Sequence, residues 1–235
     1  MPDRLRPATL DDAYAVQAQV MAGLGLGEPI GYKCACTSPI AQEALQIDRP
    51  LFGRLLSGST SGGGSTLDPE QFVHRVVEAE FGFRIVDDVE PIDGGHTAET
   101  IVDFVGAVMP AIEIVDYRYE SWAVGALPVA ADNAIHGWWI HGAPVADWRD
   151  LDLGDVPVTV ERNGELETTG SGANVLGHPL NVMAWLADEL PTYGLRLRAG
   201  DLVTTGVTTD VFEAESGDHI VAHFDGLGSV AVGFS

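Results

Sequence analysis

Hydrophobic residues recur at two different spacings along this chain. Leu10, Ala13, Tyr14, Val16, Ala18 and Val20 follow a near-helical spacing behind Thr9 and Asp12, a pattern that resembles a capping box, and they predict a helix over 9–23 that ends at Gly25 and Gly27. Ser38-Pro39, an N-cap residue followed by proline in the first turn, predicts a short helix over 39–46. A helix is expected from Thr97 to Val108, stopped by Pro110, and another opens at His178-Pro179 and runs to Leu190, where His178 reads as a cap or packing residue.

Other runs are rich in β-branched and aromatic residues with alternating polarity, which is the strand signature. These are Ile30–Cys36, Val77–Phe83, Pro110–Asp116, Trp138–Ile140, Val158–Arg162, Leu202–Gly206, 219–225 and 229–234. Asn163-Gly164 tolerates positive φ and predicts a hairpin turn after Arg162. Ser57 to Thr66 contains no apolar residue and is expected to be a mobile loop, either a plain connector or a gate. Helices come early and strands late, so the expected class is α+β with a large mixed sheet.

Two of the strands carry chemistry. In Val77-Glu78-Ala79-Glu80-Phe81-Gly82-Phe83, residues two apart share a face, so Glu78 and Glu80 project together while Ala79 and Phe81 face the other way. Glu113, in Pro110-Ala111-Ile112-Glu113-Ile114-Val115-Asp116, can supply a third carboxylate from a neighbouring strand. Such a set is either a solvated acidic face or an oxygen-rich site for a hard divalent cation such as Mg²⁺ or Mn²⁺. The apolar setting favours the second, because an unpaired charge is costly to bury.

Composition narrows the partners. The formal net charge of −23 over 235 residues opposes nucleic acids and anionic membrane surfaces, and leaves small molecules as the expected ligands. A chain of this length with 46% hydrophobic residues is expected to form one folded unit, with 1–66 as an N-terminal helical part and 67–235 as a β-roll. No apolar run reaches a membrane span and no signal pattern opens the chain, so a cytoplasmic location is expected. Cys34 and Cys36 are too close on a strand for a disulfide and read as small buried residues, with a soft-metal pair as the alternative. Lys33 is the only lysine beside eleven arginines. In so lysine-poor a chain, its compact and titratable ammonium is expected to serve a purpose that guanidinium cannot.

Several segments, taken in order, resemble one family. They are Gly31-Tyr32-Lys33, Thr37-Ser38, Phe52-Gly53, Glu78-Ala79-Glu80, Pro110 to Asp116, Ala131-Asp132-Asn133, Ala173 to Pro179, Ala184-Trp185-Leu186 and Ala199 to Gly206. Together they resemble the 2-keto-4-pentenoate hydratases and 4-oxalocrotonate decarboxylases of the fumarylacetoacetate hydrolase superfamily. The resemblance implies a mixed β-sandwich roll with flanking helices, assembled as a homo-oligomer. It also implies Mg²⁺ or Mn²⁺ on Glu78, Glu80 and Glu113, Lys33 as the catalytic group, and a 2-oxo acid bound near Lys33, Ser38, Leu51, Phe52 and Asp132.

The implied activity is hydration of a 2-hydroxydienoate to a 4-hydroxy-2-oxo acid. Decarboxylation of a 2-oxo acid on the same fold, and a non-catalytic subunit that assembles with an active partner, stand as alternatives. Leu51 departs from the hydratase pattern, which commonly has an acid between the proline and Phe-Gly. No lysine follows Glu113, where hydrolytic members often carry one.

Overall fold

A computed structural model describes residues 3–121 and 124–235. Strand-forming runs supply β1 (Pro29–Ala35), β2 (Leu51–Leu56), β3 (Thr60–Gly62), β4 (Ser65–Leu67), β5 (Val76–Ile85), β6 (Val105–Val115), β7 (His136–His141), β8 (Pro157–Arg162), β9 (Glu165–Ser171), β10 (Leu202–Val207), β11 (Phe212–Glu213), β12 (His219–Phe224) and β13 (Gly228–Phe234). The α-helices are α1 (Leu10–Gly23), α2 (Pro39–Leu45), α3 (Ala98–Ile101), α4 (Ala126–Ala131) and α5 (Pro179–Glu189).

The strands form two sheets. The larger runs β2-β1-β10-β5-β6-β7-β3, with β11 added against β5, and the smaller runs β4-β13-β12-β8-β9. Most neighbours are antiparallel, but β1 lies parallel to β10 and β3 parallel to β7, which makes the large sheet mixed. Period-two alternation decides what faces the core. Val77, Ala79, Phe81 and Phe83 of β5 are buried in one apolar cluster with Val158, Val160, Ala222, Phe224 and Val232 of the small sheet. Phe81 meets Phe224 edge to face with ring centroids 5.0 Å apart. Glu78 and Glu80 project from the opposite face of β5, which the helices cover.

The predicted helix ends over 9–23 and 39–46 agree with α1 and α2 within a residue. The Thr9 hydroxyl accepts the Asp12 N–H at 3.1 Å, and the Ser38 hydroxyl accepts the Ala41 N–H at 3.3 Å. Inside α1, buried Gln17 donates to the carbonyls of Phe52 at 3.0 Å and Ala130 at 2.7 Å, fastening the helix to β2 and α4. His178 caps α5, its Nδ1 accepting the Leu180 N–H at 3.1 Å.

Two expectations are corrected. The helix expected over 97–108 lasts only through α3 and a 3-10 turn at Val102–Phe104, after which β6 begins at Val105. Val105 and Val108 prefer the pleated backbone, Gly106 is a poor helix former, and both faces of β6 are buried. Pro110 therefore lies inside a strand. Its carbonyl accepts the Gly142 N–H at 2.8 Å just past the end of β7, and its missing N–H falls on that same side, where the ladder has finished.

The second correction concerns Ser57 to Thr66, which is ordered, not a free loop. It makes a 3-10 turn and β3, which pairs with β7, and it begins β4, which pairs with β13. Backbone ladders need no apolar side chain, so the hydropathy pattern carried no trace of them.

Gly31 sets the approach of β1 to β10. Its φ is +150°, and a Cβ there would fall 1.8 Å from the Leu202 carbonyl oxygen. We predict that Gly31→Ala lowers stability by about 3 kcal/mol, measured by urea denaturation. A loss below about 0.5 kcal/mol would show that the two strands are free to separate.

Candidate metal centre

Register places the three acids. On β5 and β6, Glu78 stands directly opposite Glu113, and Glu80 lies two residues further along the same face. One carboxylate oxygen from each lies within 4.8 Å of the others. Glu80 and Glu113 are fully buried, while Glu78 is partly open and lines a cavity of about 420 Å³. Lys33, across β10 from these strands, brings its ammonium within 3.1 Å of Glu113 Oε2 and donates to the Ala134 carbonyl at 3.0 Å. The side chain is 1% exposed.

Like charges at this spacing move one another's protons. Burial, then the charges of Glu113 and Glu78, hold the Glu80 carboxyl well above the ordinary range. Glu78 is pushed up to about 7 by burial, against the pull of Lys33. Burial would also raise Glu113, but Lys33 and the His136 hydrogen bond outweigh it and hold that carboxylate low. Burial draws Lys33 toward its neutral form, and the three glutamates together more than reverse this, so its pKa is raised. Without a cation, the cluster is therefore a partly protonated set around one ion pair.

The residues present fit a divalent metal. Three carboxylates against one ammonium leave two negative charges when all are ionised, which a divalent cation balances. Glu80 Oε1 is buried and has no hydrogen-bond partner among the described residues. All the donors are hard oxygens, which suits Mg²⁺ or Mn²⁺ better than a thiophilic metal. Neither cysteine joins them: Cys34 is buried, and Cys36 lines the cavity with its thiol pushed up to about 11 by burial.

Around this cluster stand side chains that spacing along the chain did not single out. His136 Nδ1 lies 2.8 Å from Glu113 Oε1 and must donate to it, because an ionised carboxylate only accepts. Its Nε2 faces the Ser59 hydroxyl at 3.3 Å. Thr204 donates a hydrogen bond to Glu80 Oε2. The only hint of Thr204 was a pair of hydroxyl residues inside an otherwise apolar strand. His136 carried no hint, since its partner is 23 positions away.

The remaining expected substrate residues scatter. Ser38 lines the cavity at the mouth of α2. Leu51 is fully buried, paired with Ala35 of β1, and is absent from the cavity wall. Phe52 stacks on Tyr14 with centroids 4.1 Å apart and lines a larger cleft, about 810 Å³, between α1, β2 and Thr192–Leu195, away from the carboxylates. Asp132 is held by Arg118, whose Nε lies 2.9 Å from Oδ1, and does not reach the cluster cavity.

Comparison with known proteins follows the same lines. The family model for fumarylacetoacetate (FAA) hydrolase, C-terminal, matches residues 39–234. The chain is 35% identical over 235 residues to a 2-keto-4-pentenoate hydratase of Paraburkholderia xenovorans (strain LB400), covering 99% of this chain and 86% of that one. It is 32% identical over 228 residues to a 4-oxalocrotonate decarboxylase of Pseudomonas putida, covering 96% and 86%. The fold superposes with a TM-score of 0.90 on 4-oxalocrotonate decarboxylase from Pseudomonas putida G7 complexed with magnesium and adipate, at 30% identity over 97% of this chain and 86% of that one.

Because burial and the charges of Glu113 and Glu78 hold the Glu80 carboxyl well above its ordinary range, which favours the protonated form in the metal-free cluster, its amide isostere should change metal-free stability little. Glu80→Gln is predicted to stay within about 1 kcal/mol of the wild type by urea denaturation, yet to bind Mn²⁺ at least about 100-fold more weakly by calorimetry. Unchanged Mn²⁺ affinity would remove Glu80 from the site. Wild-type affinity should rise with pH through about 7, where the Glu78 proton is shed, with a further rise contributed by the raised Glu80 carboxyl.

Proposed function

The chain belongs to the fumarylacetoacetate hydrolase family, in its branch of 2-keto-4-pentenoate hydratases and 4-oxalocrotonate decarboxylases, and from that premise we propose that it is a divalent-metal-dependent lyase for small 2-oxo or 2-hydroxydienoic acids. Within that class, we favour carbon dioxide release from a 2-oxo acid of the 4-oxalocrotonate type. Glu78, Glu80 and Glu113 are the proposed metal ligands, with Lys33 as the catalytic group.

The observation that carries the finer choice is the wall of the cavity. Beyond Lys33 and Glu78, its polar side chains are Cys36, Thr37 and Ser38, and the rest is aliphatic: Ala35, Ala41, Ala44, Leu45, Val115, Val129, Ile135 and Val207. Hydration of a dienol needs a group to move a proton at carbon and another to activate water. Leu51, where hydratases commonly have an acid, supplies neither and is sealed in the core. Decarboxylation asks for less: an electron sink at the 2-oxo end and a carboxylate poorly solvated where the bond breaks. Aliphatic walls strip water from that carboxylate, and the charge disperses as carbon dioxide leaves.

A bound divalent cation supplies the Lewis acidity that stabilises enolate charge in this chemistry. The chain's own contribution is orientation and charge. Lys33, kept cationic in the cluster, directs an N–H toward the oxygen on which negative charge builds, in a water-poor site where such a donor is worth most. Thr204 and His136 hold Glu80 and Glu113 in fixed rotamers, so the carboxylates need not reorganise during turnover. Hydration remains a second reading because the similarity to hydratases spans 99% of the chain.

The test follows deuterium entry into the methyl group of pyruvate by NMR, then compares carbon dioxide release from 4-oxalocrotonate with hydration of 2-hydroxypenta-2,4-dienoate. With Mn²⁺, the wild type should exchange and decarboxylate, and hydrate at least about tenfold more slowly. Lys33→Met should retain metal binding while losing about tenfold or more in exchange rate, and Lys33→Arg should not restore it. Faster hydration than decarboxylation would hand the assignment to the hydratases. Absence of all three metal-dependent activities would end the lyase reading.

A further inference from the structure

We infer that the left-handed turn Asn133-Ala134-Ile135 is a positioning device for Lys33, with Asn133 as its anchoring residue. Three consecutive non-glycine residues have positive φ there, at 55°, 50° and 57°. A β-branched residue in that region is a genuine outlier, and strain of this kind persists only where surrounding contacts over-determine it. The contacts that impose it here are specific.

Asn133 is 2% exposed and its amide acts as a piece of strand. Oδ1 accepts the Arg54 N–H at 2.7 Å, and Nδ2 donates to the Arg54 carbonyl at 2.9 Å, satisfying both backbone groups at the free edge of β2. Next to Arg54, Gly53 leaves room for this approach, since a Cβ there would lie 2.5 Å from the Asn133 carbonyl oxygen. Phe52-Gly53 and Ala131-Asp132-Asn133, which seem unrelated in sequence, are thus two halves of one contact.

The product of that contact is the direction of one carbonyl. Left-handed backbone at Ala134 turns its oxygen toward Lys33, which donates to it at 3.0 Å. An ammonium has three donors. The Ala134 carbonyl takes one and Glu113, at 3.1 Å, faces another, which leaves one for the cavity that Lys33 lines. With either acceptor displaced, the ammonium rotates and its third N–H no longer has a fixed direction. Neither Asn133 nor Ala134 lines the cavity, and Ile135 of the same turn gives it only an aliphatic wall, so the anchoring by Asn133 reaches the substrate's charge through Lys33.

This inference rests on the reading of Lys33 as the group that meets the substrate, and its test has one arm independent of that reading. Because Lys33 is the only lysine, lysine labelled with ¹⁵N gives one side-chain ammonium resonance in the Mg²⁺-loaded protein. That resonance should be sharp and slowly exchanging in the wild type, and lost or broadened in Asn133→Ala. In the second arm, Asn133→Ala should lower kcat for pyruvate exchange about tenfold or more, with KM and Mn²⁺ affinity changed less than about threefold. The same substitution in a Lys33→Met background should cost less than about twofold, because the group it positions is gone.

If Asn133→Ala does not fold, Asn133→Gly, which accepts the positive φ but lacks the amide, is read by the same criteria. An unchanged lysine resonance, or an equal loss with and without Lys33, overturns the inference. If the wild type shows neither exchange nor either lyase activity, the lyase reading falls, and the lysine resonance alone decides whether the turn holds Lys33.

Discussion

Three carboxylates crowded onto one face of a sheet, with a single ammonium among them, is the constraint to which the rest of the large sheet answers. Antiparallel pairing of β5 with β6 sets Glu78 against Glu113, an arrangement that repels unless something positive is near. Insertion of β10 between β1 and β5 brings Lys33 to the right distance, and parallel pairing fixes its height at Thr204. Thr204 in turn bonds Glu80, so the strand that spaces the lysine also steadies an acid. The apolar face of the same sheet packs on the small sheet and makes the position of every one of these groups rigid.

Much of this arrangement was legible in the residues. Alternation around Glu78 and Glu80 placed both on one face, and the helix caps at Thr9 and Ser38 were read from side chains whose bonding is purely local. The family resemblance and the fold agree: a mixed α+β fold of the FAA hydrolase C-terminal type, with a curled sheet and flanking helices. What escaped the sequence depends on partners distant along the chain. His136, Ser59 and Asn133 bond to groups 23, 77 and 79 positions away, and no local pattern announces such pairs. The helix expected through Val108 failed for a related reason, because tertiary pairing of β6 overrode a weak local preference beyond Phe104.

The cavity beside the carboxylates also bears on how one family can divide between two reactions. On the proposed reading, the three acids and Lys33 would serve any chemistry that passes through an enolate, so they would not separate hydration from decarboxylation. On that reading, discrimination would belong to the wall, where a protonatable group would decide whether water can be activated beside the substrate. In this chain that wall is aliphatic apart from Lys33, Glu78, Cys36, Thr37 and Ser38, and the position commonly acidic in hydratases is occupied by a leucine in the core.

The ordered stretch between β2 and β5 has a consequence for how the molecule meets its own copies. It furnishes the outermost strand of the large sheet at one end, β3, and of the small sheet at one end, β4. Each is three residues long and built from serine, threonine, glycine and one leucine. An open sheet margin is a template for edge-on aggregation, and very short polar margins offer little to template. One uncharged ribbon thereby blunts a margin of both sheets at once, and the repulsion between chains of net charge −23 guards the rest of the surface.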